Sequence, residues 1–134
     1  MIAADSSVVI AALSSWHPDH ERASRALEPD VRIPAHCAIE TYSVMTRLKP
    51  PHQAAPETVL RALSARVRSP WLTLDARSQS RFLRQAEAAG IKGGAIYDAL
   101  CAATAVHHEC ELLTLDRRAL PIYRAIGALV RVPA

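Results

Sequence analysis

Short apolar runs alternate with longer helical segments along this whole chain, and that alternation restricts the fold more than any other feature. Met1–Ala4 is apolar and stops at Asp5, after which SSVVIAALS has helical character. Pro18 opens PDHERASRALE, Val31–Ile33 is apolar again, and Pro34 opens AHCAIETYSVMTRLK. Lys49-Pro50-Pro51 ends that segment, and Pro56 starts PETVLRALSARVR. Trp71–Leu74 precedes DARSQSRFLRQAEAAG, which Gly90 closes. The loop IKGG then leads into AIYDALCAATAVHH, the apolar run ELLTL, a short helical turn after Asp116, and ALVRV. Proline suits the first turn of a helix and glycine the residue just past its end, so these residues mark helix boundaries. Strands that alternate with helices pair in parallel, with the helices covering the sheet. The expectation is an α/β fold, a three-layer αβα domain with a central parallel sheet flanked by helices.

At 134 residues, half of them apolar, the chain has the size and composition of one domain with a proper core, covering residues 1–134. No linker, long charge run or internal repeat divides it. The net charge is +3, and arginine supplies 14 of the 16 basic residues. Its planar fork matches phosphate, which points to a polyanionic partner; a plain arginine bias of composition is the alternative. Cys37, Cys101 and Cys110 are odd in number and lie in apolar surroundings without C-x-x-C spacing. They read as reduced, buried thiols of a cytoplasmic protein. The N-terminal segment lacks a basic leader, and the apolar stretch 93–108 is too short to span a bilayer, so no membrane association is expected.

Four carboxylates stand out by position. In open α/β sheets ligands bind beyond the carboxyl ends of the strands. Asp5 and Asp116 each directly follow a strand, although helix N-capping alone could place an Asp there. Glu40 lies one turn into the helix after the second strand, with Ser43 and Arg47 on its face. Asp98 lies one turn into the helix after Gly93-Gly94 and is the sole Asp, Glu, Lys or Arg between Lys92 and Glu109. That helix is otherwise apolar and should be buried, where a lone carboxylate is costly unless something neutralises it. A divalent cation, protonation or an arginine partner would each serve. The candidate ligands are all oxygens, which suits Mg²⁺, and no His/Cys cluster has zinc spacing.

DSSVVI, IETYSVMTR, GGAIYDALCAATA and LLTLDRRA, in this order, resemble PIN-domain nucleases of the VapC toxin type from Met1 to about Tyr123. The resemblance implies a sheet of order 3-2-1-4-5 and a metal-dependent ribonuclease toxin that hydrolyses phosphodiesters of structured RNA. It further implies Mg²⁺, with Mn²⁺ able to substitute, a homodimer, and a small VapB-type antitoxin as inhibitor. The family's acids map onto Asp5, Glu40, Asp98 and Asp116, with Ser7 and Thr114 as supporting hydroxyls. Asp5, Asp98 and Asp116 are the expected metal ligands, and Glu40 the group that orients the attacking water. Arg47, Lys92, Arg117 and Arg118 lie near these acids in sequence and are candidates for RNA phosphate contacts. Many family members carry a further acid where this chain has Arg118, which argues against a full second metal site.

Two rivals share the acid-at-strand-end arrangement. A receiver-like signalling domain wants adjacent acids after the first strand, yet Asp5 is followed by Ser6-Ser7. A PIN fold kept only for binding would not need the whole acidic quartet. One ambiguity is local: WLTLDARS and LLTLDRRA give Asp75 and Asp116 the same setting. The strand order that the resemblance implies puts the third strand at the sheet edge, roughly 9–10 Å from the first, so Asp75 should be an N-cap only.

Overall fold

In the computed structural model, which describes all 134 residues, three short parallel strands and seven helices follow one another. Strand β1 (Ile2–Ala4) leads into α1 (Ser6–Leu13) and α2 (His20–Ala26), then α3 (Ala35–Arg47) and α4 (Pro56–Arg66). Helices α5 (Ala76–Ala88) and α6 (Ala95–His107) precede β2 (Glu111–Leu113), and α7 (Leu120–Ile126) separates β2 from β3 (Val130–Arg131). β2 pairs in parallel with both others, with Ala3 opposite Leu112 and Leu112 opposite Val130.

Successive side chains of a strand point to opposite faces, and two buried clusters follow from that alternation. Ala3 and Leu112 pack with Phe82, Ala99, Tyr123 and Ile126 on the α5–α7 side. Ala4 and Leu113 pack with Val8, Val9, Ile33, Val59 and Leu63 on the other. Helix α3 serves both layers, giving Cys37 to the first and Ala38 and Met45 to the second. Each fully buried Val, Leu or Ile among these contributes about 1.5–3 kcal/mol from leaving water. No helix is long and apolar enough to cross a membrane.

The α/β class with a helix-flanked parallel sheet is as expected, but the sheet has three strands rather than five. Residues 31–33 and 71–74 make only isolated parallel bridges, Ala3 with Arg32 and Pro34 with Leu72. The reason is local. Pro34 has no N–H to donate, and α3 starts at Ala35, so the chain leaves the sheet after a single bridge. Leu72 likewise has only two residues before Asp75 caps α5.

Asp75 is exposed, and its Oδ1 accepts the backbone N–H of Ser78 at 2.7 Å, capping α5. That backbone bond, more than any other influence, holds its carboxyl below the ordinary 3.8. A depressed carboxyl stabilises the fold above its ordinary value and stops doing so as pH falls through the folded one. Asp75→Ala should therefore lower stability at pH 7 in chemical denaturation. The gap from wild type should close on acidification below about 3.8. A gap that is independent of pH would show that the carboxylate does not cap.

Candidate active site

Asp5 follows β1 directly, and its own N–H extends the pairing to Leu113 carbonyl at 3.0 Å. The residue is 2% exposed. Its Oδ1 accepts the Ser7 hydroxyl at 2.5 Å and the Val8 N–H at 3.3 Å. Its Oδ2 accepts the hydroxyls of Thr114 at 2.5 Å and Tyr123 at 2.7 Å. Burial pushes the carboxyl upward, and these four donors oppose it. Ser7 and Thr114 also accept in turn: Leu115 N–H donates to Ser7 Oγ at 2.8 Å, and Asp116 N–H to Thr114 Oγ1 at 3.0 Å. Both supporting hydroxyls thus link Asp5 to the loop that carries Asp116.

The other three acids gather around Asp98, in the first turn of α6. Burial raises its carboxyl most, followed by the charges of Asp116, Glu40 and Asp5, while His36 acts in the opposite sense. No ion pair engages Asp98. Glu40, on α3, accepts the Ser6 hydroxyl on Oε1, and its Oε2 lies 3.8 Å from His36 Nε2. Asp116 Oδ1 accepts the Arg118 N–H at 3.0 Å and lies 3.7 Å from that residue's Nε. The four acids predicted from sequence therefore share one locus, and Asp75 stands outside it as a cap.

The basic candidates divide. Arg47 is exposed and donates to Ser43 Oγ at 2.6 Å, one turn from Glu40 on α3. Arg117 and Arg118 are exposed beside Asp116. Lys92 is placed differently. It lines a cleft with Leu83, Glu87 and Ile96, between α5 and the turn before α6, and none of the four acids lines that cleft. Gly93, at φ +64, turns the chain from Lys92 into α6.

Sequence reasoning missed Tyr123 and Ser6. Tyr123 is 2% exposed in α7, and a buried phenol needs a hydrogen-bond partner, which was the available signal. Ser6 is adjacent to Asp5, yet only the tertiary approach of α3 gives its hydroxyl an acceptor. Beneath the acids, Cys37 and Cys101 bring their sulfurs to 3.2 Å; Cys110 is also buried and unpaired.

The donor set suits a hard divalent cation, since every candidate ligand is a carboxylate oxygen and negative charge is in excess around Asp98. No three His, Cys, Asp or Glu side chains close around a common point as they stand. An ion here would draw on few carboxylates and complete its shell with water, which is the habit of Mg²⁺.

Comparison with known proteins gives a consistent family. The model of the PIN domain matches residues 2–125. The chain is 44% identical over 132 residues to Ribonuclease VapC40 of Mycobacterium tuberculosis, covering 98% of each protein. It is 37% identical over 134 residues to Ribonuclease VapC27 of the same species, covering 99% of this chain and 97% of that one. Among solved structures, VapBC2 from Rickettsia felis bound to a promoter DNA fragment superposes with a TM-score of 0.69 over 100% of both chains at 15% identity. That last likeness speaks to the fold.

The excess charge around Asp98 has a measurable consequence. A carboxyl raised in the folded state destabilises it above the ordinary 3.8, and stability returns as pH falls through the raised value. In EDTA at pH 7, Asp98→Asn should melt at the same temperature as wild type or higher. The gain should vanish on acidification. A large drop in melting temperature at pH 7 would instead make Asp98 a structural partner.

Proposed function

This chain belongs to the PIN-domain family, and from that premise we propose that it is a metal-dependent ribonuclease, the toxin of a toxin–antitoxin pair, cutting phosphodiester bonds of structured RNA. The observation that carries the reading is the four-carboxylate locus around Asp98, whose own carboxylate has no ion-pair partner. Such a locus would repel phosphate unless a cation intervened. Relatives named as ribonucleases along nearly their full length support the same chemistry.

Asp5, Asp98 and Asp116 would hold Mg²⁺ or Mn²⁺, partly through water. Bound there, the ion would lower the pKa of water and offset charge on the phosphate. The residues of the chain do the positioning. Ser7, Thr114 and Tyr123 fix Asp5 in one orientation at the end of β1. Ser6 holds one oxygen of Glu40, leaving the other free to orient a water for in-line attack. Arg47, Arg117 and Arg118 reach outward from the same region and would contact flanking phosphates, each weakening with salt.

Cleavage should therefore need the cation. Purified protein should cut structured RNA in Mg²⁺ or Mn²⁺ and stop in EDTA, and Asp116→Ala should lose both cleavage and Mn²⁺ affinity while Asp75→Ala keeps them. Full cleavage in EDTA would sink the mechanism.

The cell would need a restraint on such an activity. We place here a small antitoxin whose C-terminal segment covers the acids, with an arginine among the carboxylates; the R. felis neighbour was itself solved as a VapBC complex. Expressed alone, the chain should slow growth, and the neighbouring small reading frame should restore it and co-purify. Neither rescue nor a complex would remove the toxin reading while leaving the nuclease one intact.

A further inference from the structure

The rim of the acidic locus carries an aromatic feature that the chemistry above does not use. Tyr97 precedes Asp98 in the first turn of α6, and His36 lies one turn before Glu40 on α3. Their rings stack with centroids 5.3 Å apart and planes 11° from parallel. His36 is mostly buried, its side chain 26% exposed, and its Nε2 makes no hydrogen bond. Tyr97 is 56% exposed and its hydroxyl has no partner within the protein. The pair is thus held by ring contact, with the histidine covering one face of the tyrosine from within.

We propose that Tyr97, backed by His36, is a stacking platform for an unpaired nucleobase of the RNA next to the scissile phosphate. This rests on the ribonuclease reading and adds a base subsite to it. A stacked ring with solvent access is what single-stranded nucleic acids use, because every base offers a π face whatever its sequence. Position adds to the chemistry. His36 Nε2 lies 3.8 Å from Glu40 Oε2 and Tyr97 directly precedes Asp98 on α6, so the pair adjoins the carboxylates. Exposed Arg47, Arg117 and Arg118 supply cations for the phosphates on either side. The backing ring matters, since a tyrosine locked against a neighbour has already lost the side-chain freedom that stacking would otherwise cost.

The test separates stacking from catalysis. Cleavage of a labelled RNA in Mn²⁺ is inhibited with two competitors of equal length, oligoadenylate and a ribose-phosphate oligomer without bases. Wild type should bind oligoadenylate about tenfold more tightly than the abasic oligomer. Tyr97→Ala should reduce that ratio to near one, and Tyr97→Phe should keep it. An equal ratio in wild type and Tyr97→Ala overturns the subsite. So does a Tyr97→Ala variant that keeps the ratio but no longer captures the antitoxin, which would assign the ring to a protein contact. Failure of wild type to cleave any RNA is a separate result: it brings down the ribonuclease reading, and the subsite with it.

Discussion

A carboxylate buried to 2% exposure at the end of β1 is the constraint around which this chain is arranged. An unpaired charge there would cost far more than any single contact returns. Asp5 avoids that cost through donors from three stretches: Ser7 and Val8 at the start of α1, Thr114 just after β2, and Tyr123 in α7. Thr114 and Tyr123 lie 109 and 118 residues away along the chain. The strand pairing of β1 with β2 brings Thr114 into reach, and the packing of α7 on the sheet brings Tyr123. Anything that loosens the sheet therefore exposes or strands this charge.

Asp98 acts against stability. A structural network of carboxylates would draw arginines inward; here Arg47 turns to Ser43, and the Arg118 side chain is 96% exposed although it lies near Asp116. Asp98 feels three like charges and meets no cationic partner beyond the influence of His36. A fold that keeps such an arrangement holds repulsion in reserve, which is the usual mark of a site organised for a ligand. The packed clusters on both faces of the sheet have to outweigh it.

The layer order and the four acids were legible in the sequence because both are local signals. Proline and glycine mark helix ends, and an acid just past an apolar run lands at the carboxyl edge of a sheet. What was not legible depended on tertiary approach. The segments 31–33 and 71–74 look like strands by composition, yet each is cut to one bridge by the helix that begins directly after it. Asp75 and Asp116 share the run LTLD, and the cap role expected of Asp75 came from the strand order that the resemblance implies rather than from its own neighbours.

Packing beneath the acids sets how far apart they stand. Glu40 and Asp98 belong to α3 and α6, and each lies three residues from a cysteine, Cys37 and Cys101, on the same helical face. Those two sulfurs meet at 3.2 Å, fully inside the protein, with Ala38, Ala99 and Ala102 also buried along the two helices. The contact with Cys37, and then burial, push the Cys101 thiol well up, so it stays neutral and acts as a small apolar spacer. Small side chains at this crossing let the two helices approach closely. A larger residue at 37 or 101 would have to push one helix outward, since a filled interior yields little. The displacement would pass directly to Glu40 and Asp98 one turn away, so the spacing of the carboxylates is decided by apolar contacts a layer below them.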